Sequence, residues 1–203
     1  MRGRPIRLLE RGSDASGRVV LVVGCIHGDE PSGLAITRRL ARASPRRYKL
    51  WILPVLNPDG RAAGTRQNAR GVDLNRNFRA RWRAAGRPWD AEYPGPRPFS
   101  EPETRIARRL ILRLRPDLTI WYHQPQWVVR AWGRSRRAAR RYAAAAGESY
   151  RSIRWPNGSG PRWQNRKFDR GVSFVVELRP GRLPAREAKA HARAVHVLGR
   201  KLS

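Results

Sequence analysis

Val19 to Ile26 is an eight-residue run with no charged side chain and no alternation of apolar and polar positions. A run this short and this rich in valine reads as a strand buried on both faces, as in a sheet covered by helices. It is far short of the roughly 20 apolar residues that cross a bilayer, so no membrane span is expected. The run ends on His27-Gly28-Asp29-Glu30, and Pro31 then suits the first turn of a helix. Leu34, Ile36 and Leu40 follow at roughly helical spacing within 33–42. Tyr48 to Val55 is the next strand, closed by the turn sequence Asn57-Pro58-Asp59-Gly60. A strand-helix-strand unit follows, and with it an α/β fold: a single-domain mixed β-sheet flanked by helices. Upstream, Ile6 to Glu10 and a turn over Gly12 to Gly17 predict an antiparallel hairpin with Val19–Ile26.

Residues 61–101 are rich in Arg, Gly, Pro and Trp without clear periodicity, which predicts a long irregular excursion; loops of this length are usually functional. Ser100-Glu101-Pro102-Glu103 predicts a helix with a Ser cap, continued by Ile106, Leu110, Ile111 and Leu114 as far as Arg115. Asp117 to His123 and Gly171 to Leu178 read as further strands, and Ser135 to Gly147 and Pro184 to Gly199 as helices. Ile153 to Asp169 reads as a loop.

The 203 residues suit one domain, residues 1–203. The net charge is +29, and all but four of the 44 basic residues are Arg. This raises nucleic-acid binding as an alternative class. The basic residues are spread along the whole chain, however, and no recognisable module for base stacking appears, so a solvated basic surface is the reading adopted. Arg2, Arg4, Arg7, Arg11 and Arg18 precede the apolar run as in a secretion signal, but Glu10 and Asp14 interrupt it and no small-residue cleavage site follows. Val22-Val23-Gly24-Cys25 resembles a lipoprotein cleavage box, yet cutting there would part the strand from the candidate site. A cytoplasmic location is expected. The lone Cys25 forms no intrachain disulfide and is read as a small buried strand residue.

His27 and Glu30 stand where a buried strand gives way to a helix, the place where open α/β sheets bind ligands. His123 also ends a strand, so the three can converge at one sheet edge. Two His and one Glu with a fourth position left to water make a catalytic zinc set. Taken singly, each has a simpler reading: a turn residue, a helix-opening acid and a core histidine. Glu177 ends the apolar run Val172 to Val176, where a carboxylate is costly unless it is used or turned to solvent or an Arg. A general base beside a metal needs such a group. His191 and His196, five apart on the last helix, are left at the surface.

Six ordered blocks carry a resemblance. They are His27-Gly28-Asp29-Glu30, Asn57-Pro58-Asp59-Gly60, the stretch from Gly64 to Phe78 with Val72-Asp73-Leu74-Asn75-Arg76-Asn77, Pro98 to Thr104, His123, and Val176-Glu177-Leu178. Together they span about residues 19–180, and the chain resembles the zinc carboxypeptidases, in particular the bacterial branch that acts on murein peptides. The resemblance implies one zinc per chain held by His27, Glu30 and His123, with Glu177 as general base and acid. It implies Arg66 as the stabiliser of the oxyanion, and Asn75 and Arg76 as the grip on the free carboxylate of the released residue. A planar guanidinium beside an amide suits that carboxylate. The family often has a Tyr in the loop before the last catalytic strand; here the loop offers Trp155 and Trp163 instead. The implied substrate is a small cell-wall peptide cut at γ-D-glutamyl-diaminopimelate, whose second carboxylate calls for a further cation, with Arg162 and Arg166 as candidates. A zinc deacylase of the succinylglutamate desuccinylase type shares part of this pattern and is the alternative within enzymes. Oligomeric state is not legible.

Overall fold

The computed structural model describes residues 3–13 and 17–201. Strands β1 (Leu9–Gly12), β2 (Val19–Val23), β3 (Lys49–Leu53), β4 (Leu118–His123), β5 (Val128–Ala131), β6 (Tyr150–Ser152) and β7 (Val172–Glu177) form one mixed sheet. Their order is β1-β3-β2-β4-β7-β5-β6. Helices α1 (Gly33–Leu40), α2 (Pro58–Ala63), α3 (Pro102–Leu114), α4 (Arg136–Ala146), α5 (Gly160–Lys167) and α6 (Ala185–Lys201) flank it. Among the described residues no helix is long and apolar enough to cross a membrane.

The expected hairpin is not formed. β1 pairs antiparallel with β3, Leu9 opposite Ile52, and β3 separates it from β2. The physical reason lies in the side chains: β2 is apolar on both faces and takes an inner place with a neighbour on each side, whereas β1 alternates between half-buried and exposed residues and suits an edge. Part of the expected turn, 14–16, lies outside the described residues. The ladder of β2 ends at Val23, but Gly24 N–H to Leu53 O (3.0 Å) and Leu56 N–H to Cys25 O (2.8 Å) carry the pairing to the threshold of His27.

β2, β4 and β7 are parallel neighbours, Val23 beside Trp121 and His123 beside Glu177. Their C-terminal ends therefore share one edge of the sheet. The chain leaves β2 toward β3 on one side and reaches β4 on the other, which makes this edge a topological switch point.

Several local readings differ. Asn57-Pro58-Asp59-Gly60 opens α2: Asn57 Oδ1 accepts from Gly60 N–H (2.9 Å), and Pro58 occupies the first turn, where no N–H is needed. Ser100 does not cap α3. Its hydroxyl donates to Glu101 Oε1 (2.6 Å), and Glu101, in extended backbone, precedes Pro102. The loop before β7 contains α5, and the short strands β5 and β6 carry no strand signal strong enough to read. His191 is buried, not at the surface: Nδ1 meets Tyr142 Oη (2.9 Å), which meets Tyr122 Oη (2.6 Å), while Glu148 lies 3.4 Å from Nε2. His196 is half-buried, 2.6 Å from Tyr48 Oη.

The excursion over 61–101 is irregular as expected, and it is tightly held. Asn77 Nδ2 donates to Pro94 O, Arg97 O and Ser100 Oγ at 2.7 to 3.0 Å. Phe78 packs edge-on against Phe99 and Trp121 and tilted against Trp163, with centroids 5.5 to 5.9 Å apart. This cluster ties the excursion, the sheet and α5 into one core. Removing such a ring costs about 3–5 kcal/mol, so Asn75 and Arg76, just before Phe78, stand on a rigid base.

Two glycines allow close backbone approach. A Cβ on Gly28 would fall 2.0 Å from the Gly60 carbonyl carbon, so the His27-Gly28-Asp29-Glu30 turn can lie against α2 only with Gly there. Gly158 has φ +70°, and its Cβ would fall 1.9 Å from Arg76 O. Gly158→Ala is therefore expected to lower stability by roughly 1–3 kcal/mol and to shift Arg76, raising KM more than it lowers kcat. Melting and steady-state kinetics check this; an unchanged melting temperature and KM would refute the contact.

Candidate metal centre and active cleft

His27 follows β2, Glu30 lies one turn beyond it, and His123 closes β4. Their ligand atoms all lie within 4.8 Å of one another. His27 Nδ1 is 2.9 Å from Glu30 Oε1, His123 Nδ1 is 2.8 Å from Glu30 Oε2, and the two Nδ1 atoms are 3.2 Å apart. The outer nitrogen of His27, Nε2, meets Asp73 Oδ1 at 3.0 Å. A carboxylate behind the ring fixes its orientation and leaves Nδ1 to face inward, as in the second shell of zinc sites. Asn75 lies behind His123: its Nδ2 is 3.3 Å from Nε2, and its Oδ1 accepts from Gly160 N–H at 3.0 Å.

The electrostatics fit a cation. Burial alone would raise the Glu30 and Asp73 carboxyls, but facing His123 and His27, with Arg66 beside Asp73, holds both well below the ordinary carboxylate range. Burial would lower His27, yet Asp73 and Glu30 raise it to about 9. A cation placed between these buried carboxylates is therefore favoured, as a bound metal ion would be. Two imidazoles and one carboxylate, buried and open on one side to the cleft, suit zinc with a free position.

Around this centre runs a cleft of about 710 Å³ whose walls include Arg66, Arg76, Arg130, Trp155, Pro161 and Glu177. Arg66 donates from Nη2 and Nε to Asp73 Oδ2 (2.8 and 3.0 Å) and from Nη1 to Glu30 Oε1 (3.1 Å). Arg76 donates to the exposed Glu92 and, at 3.1 Å, to Asn75 O. Glu177 is buried at the end of β7 and accepts from Arg130 Nη1 at 3.2 Å. Cys25 is buried under the site, its Sγ–H donating to His27 O, and burial pushes the thiol up to about 12. It is an inert packing residue.

A zinc carboxypeptidase family model matches residues 1–155. The chain belongs to the zinc carboxypeptidase family. This is a family of metallopeptidases and zinc is its metal; among the described residues, His27, Glu30 and His123 form a donor set that could hold it. The chain is 36% identical over 123 residues to murein peptide amidase A of Escherichia coli strain K12, covering 55% of this chain and 51% of that protein. It thus spans about half the length of that relative. The crystal structure of murein-tripeptide amidase from Escherichia coli O157 superposes with a TM-score of 0.72 at 28% identity, over 93% of this chain and 82% of the other. Carboxypeptidase A from Helicoverpa armigera shares the fold, with a TM-score of 0.78 at 21% identity over 97% and 66%.

The fold brings His27, Glu30, Arg66, Asn75, Arg76, His123, Trp155 and Glu177 to one cleft. Trp155 is the residue before Pro156 in the loop leading to α5, and its indole N–H has no acceptor among the described residues. Arg162 and Arg166 line a separate hollow of about 510 Å³ on the other side of Trp155. There Arg162 donates to Trp155 O and Asn157 Oδ1, both at 2.8 Å. Two residues had escaped the sequence reading. Asp73 stood in the Asp73-Leu74-Asn75-Arg76 block, where an acid two residues before Asn75 was the available signal. Arg130 had none, since one Arg among so many carries no information.

Proposed function

We propose that this chain is a zinc-dependent peptidase that hydrolyses the amide bond preceding a residue with a free carboxylate, and that its substrate is a murein peptide cut between γ-D-glutamate and diaminopimelate. The observation that carries this reading is the buried Glu177 beside His123, in one cleft with both the three-ligand set and the Arg76 guanidinium. The likeness to murein peptide amidase A supports the substrate class.

His27, Glu30 and His123 would hold the zinc, which when bound would supply positive charge to polarise the scissile carbonyl and acidify water. Glu177 takes the proton from the attacking water and returns it to the leaving nitrogen, so the carboxylate is regenerated when the C–N bond breaks. Arg66, held in place by Asp73, presents guanidinium donors to the developing oxyanion. Arg76 exchanges its exposed partner Glu92 for the carboxylate of the leaving residue, with Asn75 beside it. Trp155 covers the bound peptide and excludes water. Incubation of the zinc-loaded protein with L-alanyl-γ-D-glutamyl-diaminopimelate should release free diaminopimelate, identified by mass. An intact peptide, with deacylation of N-succinylglutamate instead, would move the assignment to the deacylase class.

The second carboxylate of diaminopimelate needs a cation inside the cleft. Arg130, on β5 next to the last catalytic strand, lines the cleft, whereas Arg162 and Arg166 do not. The diaminopimelate peptide should therefore be preferred over its lysine counterpart, because a site built to pair a charge rejects an analogue lacking it. Arg130→Ala should collapse the kcat/KM ratio of the two peptides toward one. An unchanged ratio would exclude Arg130 from this role.

A further inference from the structure

We propose that the acyl side of the cleft continues into a second subsite for a phosphate ester or pyrophosphate carried by the far end of the peptide; this rests on the peptidase reading above. Asp29, Gln124 and Gly181 border the cleft and also border a larger groove of about 970 Å³. The passage between them is firmly built. Ser32 N–H donates to Gln124 Oε1 (2.9 Å), Ser32 Oγ to Gly181 O (2.7 Å), and Gln124 Nε2 to Arg179 O and Gly181 O (3.0 and 2.9 Å).

Direction follows from the grip on the leaving residue. Asn75 and Arg76 border the cleft but not the groove, so a peptide seated on them sends its acyl part past the metal ligands toward Asp29 and Gln124. That path meets Arg38, Arg39 and Arg42 from α1 and its exit, Arg61 from α2, and Arg182 before α6. Among the described residues, Asp29 is the only acid on the groove wall. None of these five arginines forms an ion pair among the described residues, whereas Arg66, Arg76, Arg130 and Arg179 each hold a carboxylate. Arg38 and Arg39 occupy the last turn of α1 and Arg42 lies just beyond it, so three guanidinium groups cluster where the chain leaves the helix. One peptide carboxylate does not balance five guanidinium groups. A phosphate does better, because its oxygens accept paired donors from a planar fork. The apolar stretch Leu34, Ala35, Leu183 and Ala188 leaves room for the carbon atoms between peptide and phosphate.

The test compares the murein tripeptide extended at its N-terminus by two phosphoserines with the same peptide extended by two serines, measuring both kcat/KM and equilibrium affinity by anisotropy. At low ionic strength the phosphorylated peptide should gain about tenfold or more in each, and the gain should shrink with added salt. The triple variant Arg38→Gln, Arg39→Gln, Arg42→Gln should lose this gain while handling the serine peptide as the parent does. A charge-matched control, Arg136→Gln, Arg137→Gln, Arg141→Gln on α4, should keep it. Equal affinity for the two peptides, or equal loss in both triple variants, would overturn the subsite. Phosphate-dependent binding that only the α1 variant loses, without hydrolysis of either peptide, would uphold the subsite and remove the peptidase reading.

Discussion

Glu177→Gln protein is expected to fold, to bind zinc as the parent does and to turn over about 10² to 10⁴ times more slowly. The amide keeps an oxygen that can accept from Arg130, so the local geometry and the packing at the end of β7 are retained. What is lost is the ability to take a proton from water and hand it to the leaving amine. The measurement is kcat at equal metal content. A variant that carries full zinc and runs at the parent rate would remove Glu177 from the proton transfers.

Asp73→Ala should affect both stability and metal binding. Asp73 is fully buried and holds His27 on one oxygen and Arg66, from two nitrogens, on the other. Removing one partner of a buried ionic cluster costs about 3–5 kcal/mol, and loss of a carboxylate behind a ligating imidazole weakens metal affinity about 10- to 100-fold. Denaturant unfolding of the metal-free protein and competition with a zinc chelator read the two effects separately. Parent-like values in both would mean that Asp73 neither orients His27 nor balances Arg66.

The site was more legible than the path of the chain around it. His27, Glu30, His123 and Glu177 sit at strand ends, where a polar residue after an apolar run stands out, and the parallel register of β2, β4 and β7 gathers strand ends at one edge. Strand pairing is a different matter. Nothing local to Leu9–Gly12 tells it to pair with β3 in place of its sequence neighbour β2; that choice is made by the need of β2 to be covered on both sides. His191 was misplaced because helical spacing reports a face but not what packs on it, and here Tyr142 and Glu148 give the imidazole buried partners. Arg162 and Arg130 show the limit set by composition. In a chain with this many arginines, only three-dimensional position separates a guanidinium in the cleft from one bound to its own loop.

Zinc stoichiometry measured alongside activity tests the account most directly. Elemental analysis should find one zinc per chain, peptide hydrolysis should rise and fall with occupancy through chelation and reconstitution, and His123→Ala should lose both together. Full activity after exhaustive chelation, or His123→Ala protein that retains one tightly bound zinc per chain, would contradict it.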